Sequence, residues 1–144
     1  MPEVHLVVGS LLIVLNLLAG VVGGIAWYRV RPSIPFWYLL RAAQVSVVLE
    51  ALLGGLLVVT GHRPDESLHY LYGILPLLVS VLAEGARVGA AEREVRDIDF
   101  EAMSAEGQQE VALAIVRREM GIMAVSCGVI LFLALRAAGT SGAF

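Results

Sequence analysis

The chain has 144 residues, 58% of them hydrophobic, and a mean hydropathy of +0.82. That is too apolar for a soluble domain of this size and leaves no room for a separate globular one. A formal charge of −3 argues against nucleic acid as a partner.

Four apolar segments are each long enough to cross a hydrocarbon core that takes roughly 20 residues per helix. They cover residues 4–28, 37–60, 68–88 and 117–136. The first starts Met-Pro-Glu, without a basic leader. It ends in Trp27-Tyr28-Arg29, which reads as an interfacial anchor and not as a cleavage site. Arg31-Pro32-Ser33-Ile34-Pro35 breaks the chain before the second segment. Gly61-His62-Arg63-Pro64-Asp65 ends that segment, and Asp65 or Ser67 is placed to cap the third. Residues 89–116 turn polar and read as a helical hairpin. Its second arm is an amphipathic helix leading into the fourth span, and Glu92 and Arg96 are spaced to pair. Arg117, Arg118 and Arg136 can snorkel from the ends of that shorter span. Cys127 sits inside it, has no cysteine to pair with, and is read as a small packing residue.

The fold class is therefore an all-α integral membrane four-helix bundle in contact with the lipid bilayer. All ten basic side chains are arginine. Arg29 and Arg31 lie between the first two spans, and Arg87, Arg93, Arg96, Arg117 and Arg118 between the last two. The positive-inside rule then places both termini outside, with His5, His62 and His69 on the outer side. A bacterial cytoplasmic (inner) membrane fits this reading.

The first and third segments carry a repeat. His5-Leu6-Val7-Val8-Gly9 matches His69-Tyr70-Leu71-Tyr72-Gly73, and Asn16 matches Ser80 without gaps. Two helix pairs so related give a bundle with a pseudo-two-fold axis along the membrane normal. At about 100° per residue, His69, Gly73, Pro76, Ser80, Ala83 and Arg87 share one face, and so do His5, Gly9, Asn16, Gly20 and Gly23. Small and polar faces gain nothing from lipid and turn inward. His5 and His69 would then lie at one depth on two parallel helices. Gly9 and Gly73 would make room one turn deeper for a flat cofactor. Neutral imidazole is a ligand for haem iron, zinc or copper. The plainer alternative makes both side chains interfacial histidines bonded to headgroups or carbonyls. Gly20, Gly24, Gly121, Ala124 and Gly128 read as helix-packing positions.

Glu50, near the middle of the second segment, is the costliest residue, since an ionised carboxylate there costs roughly 2.5–3.5 kcal/mol. Proton relay, a hydrogen bond to a cofactor, or packing against Asn16 or Ser80 would each account for it. Gln44 lies about 120° away on the same helix. Arg41 can reach the inner surface, where Glu84 and Arg87 are spaced to pair. Phosphate-binding loops, Cys-x-x-Cys, nucleophile elbows and His-Glu-x-x-His are absent from the sequence.

Gln44 to Gly61, including Leu53-Gly54-Gly55-Leu56-Leu57-Val58-Val59-Thr60-Gly61, is followed by a short loop and then by His69 opening a helix. Over residues 44–83 this arrangement resembles the haem A synthase family. The resemblance implies one of that family's two four-helix halves, with His5 and His69 as the histidine pair that ligates haem near the outer surface. At about half a synthase's length, and without the family's outer-loop cysteine pair, the chain is expected to hold a single haem b. It is expected to serve electron transfer or haem handling beside the respiratory chain, and not synthase catalysis. Respiratory membrane proteins or a homodimer are the expected partners. The alternatives are a cofactor-free structural or assembly subunit of a membrane complex, and a small proton or solute transporter using Glu50.

Overall fold

The computed structural model describes residues 2–62 and 66–140. They form four long helices, α1 (Pro2–Tyr28), α2 (Ile34–Val59), α3 (Leu68–Val95) and α4 (Ala105–Gly139). A single 3-10 turn, Phe100–Ala102, sits between α3 and α4. All four are long and apolar enough to cross a membrane. The protein is a multi-pass, all-α membrane bundle.

Helix ends follow local chemistry. Ser33 caps α2, its hydroxyl accepting from the Phe36 N–H at 3.3 Å, and Pro35 sits in the first turn, where a missing donor costs nothing. Ser104 caps α4 in the same way through the Gly107 N–H. Ser67 precedes α3 but makes no side-chain cap bond, and Asp65 lies outside the described residues. The C-termini of α1 and α2 share one closing pattern. Arg31 N–H donates to Ala26 O and Val30 N–H to Trp27 O; His62 N–H donates to Leu57 O and Gly61 N–H to Val58 O. This motif puts one residue in the left-handed region. Gly61 takes it at φ 86°, but after α1 it falls to Val30 at φ 52°, a β-branched residue in strained backbone.

The helical hairpin expected over 89–116 is built from the ends of the two long helices themselves. α3 runs on to Val95, and α4 begins at Ala105, twelve residues before the expected fourth span. The amphipathic arm and the span are one helix of 35 residues, about 52 Å long. This exceeds a hydrocarbon core of about 30 Å, so one end stands clear of it. Continuity saves a set of unpaired helix-end groups that a break would leave. The pair expected between Glu92 and Arg96 is not formed among the described residues. Glu94 instead meets Arg118 across the α3–α4 interface.

α4 packs along both α1 and α3, α1 packs along α2, and the α2–α3 seam is much the thinnest edge. α1 and α3 therefore face each other diagonally. Of the faces the periodicity picks out, Asn16 and Gly23 on α1 and Pro76, Ser80 and Ala83 on α3 are buried, and Leu12, Ala19 and Ala26 complete the buried stripe of α1. The main core gathers Ala19, Ala26, Phe36, Leu40, Ala83, Met120, Met123 and Cys127 toward the arginine-rich end. A smaller one of Leu12, Val47 and Ile130 lies toward the histidine end. Gly20 packs on Cys127 and the α4 backbone, Gly23 receives the Phe36 ring and Gly121 receives the Trp27 indole. Gly24 and Gly128, read as packing positions, border open space.

Candidate functional site

The ion pairs among the described residues lie toward the two ends of the bundle. At the arginine-rich end, Glu84 on α3 collects Arg41 and Gln44 from α2 and Arg87 from its own helix. Arg87 reaches on to Glu119 of α4 at 3.0 Å, and its guanidinium lies 5.9 Å from the Trp37 ring centre. Two cations face two carboxylates, so the charges balance. This network joins α2, α3 and α4 where α2 and α3 otherwise touch least. Gln44 belongs here, away from Glu50.

At the other end, His5 and His69 come together from the diagonal pair of helices. Their ring centres are 6.2 Å apart and their planes 71° from parallel. His69 Nδ1–H donates to the carbonyl oxygen of Ala137, near the end of α4, at 3.0 Å. A carbonyl only accepts, so this bond fixes the proton on Nδ1 and leaves Nε2 with its lone pair. His5 Nδ1 lies 3.2 Å from Glu50 Oε1. That approach is not aligned as a hydrogen bond, and His5 Nδ1 and Glu50 Oε2 are both buried with no hydrogen-bond partner. His62 stays on the exposed turn after α2, 3.4 Å from the Thr60 hydroxyl, away from the pair.

The glycines beside the histidines are not equivalent. A Cβ on Gly9 would lie 2.6 Å from Glu50 Oε1, whereas one on Gly73 would meet nothing. Gly9 therefore makes room for a carboxylate and not for a cofactor face, which corrects the expectation drawn from the repeat. Gly54 of α2 plays a part the repeat does not predict: its open side seats the His5 ring, with Cε1 3.5 Å from where a Cβ would stand. The expectation that Glu50 packs against Asn16 or Ser80 is also corrected. Asn16, 1% exposed, turns its amide back to Leu12 O of its own helix at 2.9 Å. Ser80 is buried in the α3 face. The signal that would have placed Glu50 is its level. α1 and α2 run antiparallel, so Gly9 meets Glu50 where His5 meets Gly54.

Arg136 lies 5.7 Å from the centre of the Tyr72 ring, adding a cation beside the histidine end. A shallow apolar groove of about 370 Å³ runs between α1 and α2, with Leu11, Leu15, Val45 and Leu49 among its walls; the histidines do not line it. Among the described residues, no group of three or more His, Cys, Asp or Glu side chains is placed to hold a metal ion. A metal here would rest on the two imidazoles and a non-protein ligand. No family model, curated protein or solved structure matches the chain.

Proposed function

We propose that this is a haem-binding integral membrane protein of a bacterial cytoplasmic membrane, holding one haem b between His5 and His69 near the outer face. Electron transfer or haem handling beside the respiratory chain is the corresponding role. The observation that carries the reading is the 6.2 Å approach of two imidazoles from diagonal helices. A metal bonded to one nitrogen of each ring at about 2 Å holds collinear ring centres about 6 Å apart. The surroundings fit as well. Metal-bound histidines characteristically give their other ring N–H to a carbonyl or a carboxylate. Ala137 O supplies the first for His69, and Glu50 stands beside His5 as the second. Gly73, one turn along α3 from His69, adds no side-chain bulk and a Cβ there would meet nothing.

When bound, the haem would supply a one-electron couple. His5 and His69 would both hold the iron, leaving it no free position, so the site would suit electron transfer over oxygen activation. His69, anchored to α4, fixes one side of the site, and His5, seated against Gly54, fixes the other. The resemblance to one half of a haem A synthase agrees with a single site of this kind.

An absorption spectrum of detergent-purified protein, expressed with ample haem, tests the proposal. Wild type should show a Soret band and a low-spin six-coordinate spectrum. His69→Ala and His5→Ala should each lose the haem or become five-coordinate. A wild type without a Soret band would refute it.

A second reading, an assembly subunit without cofactor, draws on the extramembrane ends of α3 and α4. Val95, Ile98, Phe100 and Leu113 are each 38–39% exposed there. Stoichiometric partners in native membranes that persist in His69→Ala would favour it.

A further inference from the structure

We propose that Glu50 is a positioning residue for His5, and that it makes the two axial imidazoles chemically unequal. The inference rests on the haem reading above and concerns a residue that touches neither iron nor porphyrin in it. Three placements converge on Glu50. Its Oε1 is 3.2 Å from His5 Nδ1. The same oxygen fills the notch that the missing side chain of Gly9 leaves on α1, 2.6 Å from where a Cβ would be. The His5 ring fits a second notch, at Gly54, one turn along α2 from Glu50. Two helix surfaces are thus relieved of side chains at the levels of the carboxylate and the ring.

The energetics favour pairing. A carboxylate within an apolar span is costly unless it has a partner. Glu50 Oε2 and His5 Nδ1 are the buried side-chain polar atoms left without a hydrogen bond among the described residues. A small rotation of the imidazole aligns Nδ1–H with Oε1 and satisfies the histidine nitrogen. It also sets the tautomer whose Nε2 carries the lone pair. His69 has the neutral counterpart, a carbonyl acceptor. A carboxylate draws more strongly on the N–H than a carbonyl does and makes its imidazole the more electron-rich ligand. His5 is then the stronger donor to ferric iron and His69 the weaker.

Two variants disturb Glu50 by different routes. Glu50→Gln keeps the shape and removes the charge. Gly9→Ala keeps the carboxylate but pushes it out of its notch, and the tip of a flexible side chain can move. Gly24→Ala, in open space on α1, is the control. The first readout is haem affinity and midpoint potential in nanodiscs. Both Glu50→Gln and Gly9→Ala should weaken haem binding by 10–100-fold, as outer-shell changes do, and raise the midpoint potential; Gly24→Ala should do neither. The second readout uses apoprotein, by ¹⁵N signals of the imidazoles. In both variants the His5 Nδ1 signal should shift and that of His69 should stay. Holoprotein with unchanged affinity and potential in both variants overturns the role of Glu50 and leaves the haem reading standing. Wild type that takes up no haem overturns both.

Discussion

Gly23 and Gly24 are neighbours on α1, and the packing assigns them opposite fates. A Cβ on Gly23 would lie 2.4 Å from Phe36 Cε2 and 2.6 Å from Cδ2; on Gly24 it would meet nothing within 4 Å. The Phe36 ring has nowhere to retreat. It is fully buried, and its backbone is held by the Ser33 cap at the start of α2. Overpacking of this kind costs about 1–3 kcal/mol. Replacing glycine by alanine within a helix returns up to about 1 kcal/mol. Gly23→Ala should therefore destabilise by about 1–2 kcal/mol, and Gly24→Ala should be neutral or slightly stabilising. The gap of about 2 kcal/mol corresponds to about 30-fold in the folded-to-unfolded ratio. Denaturation of bicelle-reconstituted protein with dodecyl sulfate, followed by circular dichroism, resolves that gap. A Gly23→Ala protein as stable as Gly24→Ala would show that α1 does not seat Phe36, and the α1–α2 register would fall with it.

Arg87→Ala should destabilise by about 2–3 kcal/mol in the same assay, because it takes from Glu119, 15% exposed, its charge partner and leaves Glu84 with Arg41 and Gln44 alone. Arg41→Ala should cost under about 1 kcal/mol, since that side chain is half exposed and screened by solvent; the reverse order would refute the network. Val30→Gly should stabilise by about 1 kcal/mol through relief of a left-handed β-branched residue, a gain that vanishes if φ there is negative. Cys127, 1% exposed in the main core, should resist a membrane-permeant maleimide until the protein unfolds. Rapid labelling of native protein would contradict the α4 packing.

The architecture was largely readable in advance because hydrophobic runs and small-residue stripes report directly on bilayer length and helix faces. The buried faces of α1 and α3 follow from their 3.6-residue period, and the His5–His69 meeting follows from those faces. What escaped is what depends on relative level between helices. Gly9 and Gly73 look alike in the chain, yet only Gly9 is filled, because only there does an antiparallel neighbour bring a glutamate. Gly54 looks like one of many glycines in a leucine-rich run, and its use is visible only once His5 lies across it. The amphipathic arm before the fourth span is legible from its periodicity, but its seamless join to the span is not, because helical hydrogen bonding continues through polar residues as readily as apolar ones. Val30 carries no sequence mark of its conformation, because the closing motif there normally advertises itself by glycine.

The thin α2–α3 edge has a mechanical meaning. Three of the four edges of this bundle are closely packed, so parting them would forfeit side-chain packing that lipid does not replace in kind. The fourth is fastened chiefly by Glu84 and its bonds to Arg41 and Gln44, all at one extremity. That edge gives up the least packing if it parts, and Glu84 is the peg that resists parting.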